Sequence, residues 1–199
     1  MSTVMSDLLP DPSLRAAWLR KLYFVRAAFS FAWVALSLTL AKHSPVLATG
    51  LLIVYPAWDA VANLLDVRMT GGARANPAQA LNIWISSLVT LAVAASFAFA
   101  WQIALAIFGT WAIVAGLLQL AAAIRRRKDN SGQWVMMLSG AQSALAGGFF
   151  VAQQGNGAPV LQTVVGYAGV GAVYFLISAL VLVFRGNARG ARGLASGKS

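Results

Sequence analysis

The stretch QIALAIFGTWAIVAGLLQLAAAIRRRK, residues 102–128, decides the fold class. It is almost entirely apolar from Gln102 to Ile124, and it then ends in four consecutive cations. A bilayer core about 30 Å thick needs roughly 20 apolar residues in one helix. A helix that crosses a membrane and stops at a basic loop is the structure that this pattern favours.

Composition extends this interpretation to the whole chain. Of 199 residues, 59% are hydrophobic and only 10% are charged, whereas an ordinary soluble domain carries about 25% charge. The high apolar content also excludes a disordered chain. The absence of cysteine and the presence of one histidine exclude a disulfide scaffold, a thiolate metal site and a multi-histidine site. We therefore expect no metal and no cofactor.

Six apolar runs are long enough to cross a bilayer, which predicts an all-α, polytopic membrane protein with six transmembrane helices. Pro45, Asn76-Pro77 and Pro159 punctuate the runs, because proline is tolerated at a helix start and poorly inside one. The break between the third and fourth runs has neither Gly nor Pro. It is predicted because one helix over 81–124 would be about 66 Å long. The six predicted spans are 22–41, 46–65, 81–99, 102–124, 134–151 and 160–184.

The positions of the charges predict the orientation. With six spans, every Lys and Arg except Lys42 falls on one side of the membrane, and the positive-inside rule places that side, with both termini, in the cytoplasm. The formal charge of +10 therefore does not indicate nucleic acid, since the cations lie in short loops without a folded basic surface.

Three segments are predicted. Residues 1–21 form a cytoplasmic segment with a short interfacial helix, and residues 22–185 form the membrane domain. Residues 186–199 are rich in Gly, Ala and Arg and are predicted to be a disordered cytoplasmic tail.

The six spans group into three hairpins of one orientation, and we interpret them as parallel repeats of one unit. A shift of 56 residues aligns Tyr55, Trp111 and Tyr167. A shift of 53 instead aligns Trp58 with Trp111. The sequence leaves both registers open.

Small residues and cations suggest further contacts. Gly140, Ala144 and Gly148 are spaced four apart, as are Ala112 and Gly116. Such ridges let helices pack closely within one bundle, and a homo-oligomer contact is the alternative.

The lipid bilayer is the expected partner, and the basic loop after the fourth span is a candidate site for anionic lipid headgroups. Its residues are Arg125, Arg126, Arg127 and Lys128.

Polar residues inside a span are costly and indicate a special role. Asp59 lies well inside span two, and a hairpin turning near residues 43–44 brings Arg26 to nearly the same depth. Asn63 and Asp66 follow Asp59 on the same helical face. This stripe predicts a structural clamp between helices. The alternatives are a proton- or ion-handling site, or a protonated Asp59 with Arg26 snorkelling alone to the headgroups.

Catalysis is not expected. No Gly-x-Ser-x-Gly motif accompanies a histidine, and the five carboxylates are scattered along the chain. The chain is therefore predicted not to be an enzyme.

Residues 109–128 and 132–148 resemble the HdeD-like acid-resistance membrane proteins, a six-span family with a short repeated hydrophobic unit. The shared features are a Gly within the helix, a basic loop and a Trp opening the next helix (Trp134). The segment YPAWDA, residues 55–60, is similar to the family's aromatic-x3-Asp-Gly segment, although Ala60 replaces the Gly.

The resemblance implies a non-enzymatic bacterial inner-membrane protein linked to acid or envelope stress, with no known catalytic residues. Two other hypotheses remain. One is a small transporter or channel that uses the stripe around Asp59. The other is an assembly or partner subunit of a membrane complex.

Overall fold

The computed structural model describes residues 12–128, 133–157 and 159–196. The described chain is helical, and six long helices carry the apolar runs. The predicted all-α fold with six spans is confirmed. The long helices are α1 Pro12–Thr39, α2 Pro45–Met69, α3 Pro77–Phe99, α4 Ala104–Arg126, α5 Gln133–Gln153 and α6 Val160–Ser196.

The breaks follow local chemistry. Ser44 caps α2 by accepting a hydrogen bond from the backbone N–H of Leu47, and Pro45 occupies the first helical position. Pro77 opens α3 in the same way, but the Asn76 side chain bonds elsewhere instead of capping the helix. The turn forced by length between α3 and α4 lies at Ala100, followed by a short 3₁₀ turn at Trp101–Ile103.

At both ends of the described chain, a long helix extends into the segment that the sequence places outside the membrane domain. α1 is continuous over 28 residues, about 42 Å, so the segment predicted to lie at the interface forms its first turns. α6 continues to Ser196, into the segment 186–199 that the sequence predicts as disordered. Six of the eleven residues 186–196 are Ala, Arg or Leu, which favour a helix, and three are Gly, which disfavours one. Residues 1–11 and 197–199 of the predicted terminal segments lie outside the described residues.

The six helices form a closed ring in which each contacts the next, and α1 contacts α6. The extent of contact between neighbouring helices alternates around this ring. They are extensive at the α2–α3, α4–α5 and α6–α1 junctions, and sparser within the pairs α1–α2, α3–α4 and α5–α6. This alternation is the pattern expected of three related hairpins arranged about a pseudo-threefold axis.

The closest junction is α4–α5, because glycines, which have no side chain, lie at the contact between the two helices. A Cβ atom built on Gly116 would lie 2.6 Å from the carbonyl oxygen of Gly140. One built on Gly147 would lie 2.4 Å from the carbonyl oxygen of Gly109. Gly148, by contrast, has open space beside it. Gly116 and Gly140 of the predicted ridges therefore pack within the chain, whereas Gly148 does not.

The ring has two chemically different halves. We call the end where α1 begins and α2 ends the basic end, since Arg20, Arg68 and Arg125 lie there. The opposite half is filled by an apolar core that includes Trp33, Leu52, Phe108, Phe150 and Val164. Towards the basic end, charged and amide side chains lie inside the ring beside a second apolar cluster around Leu19, Tyr23 and Met136.

Candidate functional site: a polar cavity inside the helix ring

A cavity of about 110 Å³ occupies the half of the ring nearer the basic end. All six helices contribute to its lining. It extends from Gln79, Arg126 and Gln133, which lie in the terminal turns of their helices, to Tyr55 and Tyr167 beside the apolar core. Of the described residues that line it, four are charged: Arg26, Asp59, Asp66 and Arg126.

Asp59 is the centre of a hydrogen-bond network at the middle of this cavity. Arg26 of α1 pairs with its Oδ1 atom. The Oδ2 atom accepts three hydrogen bonds from two helices: Asn63 Nδ2 at 3.1 Å, Asn82 Nδ2 at 2.7 Å and Ser86 Oγ at 2.8 Å. A buried carboxylate with one cation and three donors is fully satisfied in its ionised form.

Arg26 has a second contact that fixes its position. Its guanidinium lies over the ring of Phe175, with the central carbon 4.6 Å from the ring centroid. This is a cation–π arrangement. Arg26 therefore connects α1 to both α2 and α6, and its guanidinium lies inside the ring.

A second ion pair lies nearer the basic end. Arg126 of α4 contacts Asp66 of α2 at 2.8 Å, and it also donates to Asn76 Oδ1 at 2.9 Å. Asn76 in turn donates to the backbone oxygens of Thr70 and Gly72. Only 12% of the Arg126 side chain is exposed. Arg126 is one of the four cations that the sequence predicts to meet lipid headgroups, but its side chain is turned into the ring.

Three aromatic residues form the floor of the cavity, on the side of the apolar core. The ring centroids of Tyr55 and Trp111 are 5.9 Å apart, and those of Trp111 and Tyr167 are 6.3 Å apart. These are the three residues aligned by the shift of 56. The structure therefore favours that register over the shift of 53, because repeat-related residues meet where the three hairpins converge.

The contacts of the floor repeat in part. Tyr55 packs on Trp33 and Tyr167 on Phe150, in each case on the first helix of the same hairpin, whereas Trp111 packs on Phe108 of its own helix α4. Each floor residue also has a serine partner on the first helix of its own hairpin. Ser30 lies within reach of the Tyr55 hydroxyl, Ser86 accepts from Trp111 Nε1 at 3.0 Å, and Ser143 bonds the Tyr167 hydroxyl at 2.7 Å.

Several buried polar atoms of the lining have no hydrogen-bond partner within the described chain. They include Asp66 Oδ1, Asn82 Oδ1 and Gln133 Nε2. Their residues are 4%, 6% and 2% exposed. Buried polar groups in proteins nearly always have a partner, so these atoms have hydrogen-bonding capacity that the described residues leave unused.

The sequence-predicted residues are thus divided between two places. Arg26, Asp59 and Asn63 lie in one network, whereas Asp66 belongs to the separate pair with Arg126. Among the described residues, no group of three His, Asp or Glu side chains could hold a metal ion.

Two partners of Asp59, Asn82 and Ser86, were not predicted from the sequence. They looked like ordinary polar residues of an apolar span. The repeat contained the missing signal, because the shift of 56 relates Asn82 to Arg26 and Ser86 to Ser30. All four residues lie at the cavity or in its network.

Fold and site together define a multi-pass membrane protein built as a ring of six helices around a polar cavity. Residues 84–152, about a third of the chain, match the model of a family described as "Short repeat of unknown function (DUF308)". The matched segment begins within α3 and ends within α5, so it contains the α4–α5 junction. No curated protein and no solved structure matches the chain.

Proposed function

We propose that this is a non-enzymatic, HdeD-like protein of the bacterial inner membrane, with both termini in the cytoplasm, that contributes to acid or envelope stress tolerance. The observation that carries the proposal is the match of residues 84–152 to a short-repeat family that includes HdeD-like membrane proteins. The same segment contains most of the residues on which the resemblance rests.

The geometry of the cavity supports a role without chemistry on a substrate. Its four charged residues are engaged in two ion pairs. The Asp59 carboxylate is fully occupied by Arg26 and three further donors, so it is poorly suited to act as a nucleophile or general base. These contacts join α1, α2, α3 and α4, which supports the interpretation of the stripe as a clamp.

An acid-survival experiment tests the proposal. A strain lacking the gene is compared with strains that express the wild-type chain, the Asp59→Asn variant and the Ser87→Ala variant. Ser87 is exposed and bonds only its own helix backbone, so its variant is the control. We expect deletion to lower survival, with rescue by wild type and Ser87→Ala but not by Asp59→Asn. Equal survival of the deletion and wild-type strains would refute the stress role.

A transporter or channel is the second candidate, and the polar cavity is the observation in its favour. The aromatic floor and the apolar core beyond it argue against a continuous path in this conformation. Flux in proteoliposomes separates the two candidates. Transport predicts uptake that Asp59→Asn abolishes while the protein stays folded, whereas a clamp predicts no flux above that of empty vesicles.

A further inference from the structure

We propose that the cavity is a binding site for a small, uncharged solute that carries both hydrogen-bond donors and acceptors, and that the solute reaches it from the basic end. This inference concerns the cavity alone. It does not depend on the stress role, and either proposal can fail without the other.

The charges of the lining argue against an ion as the ligand. The two cations and two anions form two pairs, Arg26 with Asp59 and Arg126 with Asp66. The formal charge of the lining is therefore zero over the residues that the structure describes. An ion entering a site of low dielectric would lose its hydration and find no uncompensated opposite charge. An uncharged solute does not meet this penalty.

The unpartnered atoms define the chemistry of the ligand. Asp66 Oδ1 and Asn82 Oδ1 are acceptors, so they require donors on the ligand. Gln133 Nε2 is a donor, so it requires an acceptor. All three residues are at least nine-tenths buried and line the cavity. An amide or a polyol offers donors and acceptors together and would satisfy atoms of both kinds.

The size of the cavity limits the ligand to a small molecule. Its volume is about 110 Å³, whereas one water needs about 10–15 Å³. The space suits a molecule of a few non-hydrogen atoms or a cluster of waters. Waters alone are the competing occupant that an experiment must separate.

The position of the lining residues sets the direction of access. Ala78 and Gln133 lie in the first turns of α3 and α5 at the basic end, and both line the cavity. At the other end, Tyr55, Trp111 and Tyr167 separate the cavity from the apolar core. The cavity is therefore a one-sided chamber.

The absence of cysteine makes a thiol-reactivity test direct. One cysteine is introduced at Ser139, which lines the cavity. Controls are Ser178→Cys and Ser37→Cys, since both serines are buried and neither lines the cavity. Each purified variant is treated with uncharged iodoacetamide or with iodoacetate, an anion of nearly the same size. Rates are normalised to those of a free thiol.

We expect Ser139→Cys to react, and to prefer iodoacetamide over iodoacetate by about tenfold or more, while both controls stay unreactive. Equal or faster reaction with iodoacetate would refute the preference for uncharged molecules. A Ser37→Cys variant that reacts as fast as Ser139→Cys would refute access from the basic end. An unreactive Ser139→Cys would refute an accessible cavity.

Protection distinguishes binding from mere access. Acetamide, an uncharged amide that does not react with thiols, is added at increasing concentration, with acetate as its charged isostere. We expect saturable slowing of the labelling of Ser139→Cys by acetamide and none by acetate. The substitution Gln133→Met removes the free donor and should weaken this protection several-fold, whereas Gln102→Met, at an exposed site, should not. Absence of protection would show that the cavity holds waters only.

Discussion

Ser86 connects the charged network to the aromatic floor. Its side chain is fully buried, donates to Asp59 Oδ2 at 2.8 Å and accepts from Trp111 Nε1 at 3.0 Å. One hydroxyl therefore satisfies a carboxylate from one hairpin and an indole from another. Residues of this kind are sensitive to removal, because both partners then lose a hydrogen bond inside a low-dielectric environment.

Replacement of Ser86 by alanine should reveal this dependence. We expect Ser86→Ala to lower the free energy of unfolding by about 1–3 kcal/mol, since it leaves the buried Trp111 donor without a partner. Reversible unfolding in mixed micelles, followed by circular dichroism, measures the change. The adjacent Ser87→Ala should have almost no effect, because Ser87 is exposed and bonds only the backbone of Ile83. Equal losses in the two variants would contradict the network.

The ion pair between Arg26 and Asp59 permits a double-mutant cycle. Removing one partner leaves the other buried and unpaired, so Asp59→Asn and Arg26→Gln should each destabilise the bundle by about 3 kcal/mol. The double variant should lose much less than the sum of the two, because both charges are then absent. Strictly additive losses would instead support a protonated Asp59 beside an independent Arg26.

At the scale of helices, the α4–α5 junction has the least tolerance for added volume. The backbones approach so closely that a methyl group on Gly116 or Gly140 would meet backbone atoms of the facing helix. Backbone atoms cannot move aside as a flexible side chain can. The two helices would have to separate, and interiors packed at this density resist such shifts.

The glycines of α5 provide a matched pair for a test. We expect Gly140→Ala to destabilise the protein by about 1–3 kcal/mol through overpacking. Gly148→Ala adds the same methyl group to the same helix in open space, so its stability should be unchanged or slightly higher, given the helix propensity of alanine. The midpoint of unfolding measures both. A stable Gly140→Ala variant would show that the junction is looser than described.

The spans and their breaks were predictable from the sequence because they depend on local properties. Apolar run length sets each helix, and Ser44-Pro45 or Asn76-Pro77 sets its start. The pairing of α1 with α6 was not predictable, since it depends on contacts between residues distant in sequence, such as Tyr23 with Phe175. The ion pair of Asp66 with Arg126 was not predictable for the same reason, because no periodicity relates residues on helices that are not consecutive in the chain.

For the whole molecule, the decisive property is the orientation of the ring in the membrane. The basic end contains the connection from α2 to α3 and the end of α4, followed by Arg127 and Lys128. We expect a reporter fused after Lys128 to be inaccessible from outside intact cells, because the positive-inside rule places this end in the cytoplasm. Protease or label accessibility, compared in intact and permeabilised cells, measures it. Labelling in intact cells would reverse the orientation and contradict the proposed location.

The contact of α1 with α6 makes the first and last helices of the chain spatial neighbours. During synthesis, α1 leaves the ribosome long before its main partner exists, so the buried face around Leu19, Tyr23 and Ala27 must wait in lipid or be shielded by another protein. Because the helices form a closed ring, a chain that begins and ends at other helices could form the same contacts. A circularly permuted chain that starts at Pro77 and joins the old ends through a flexible linker would encode the same ring, with a different helix completing it.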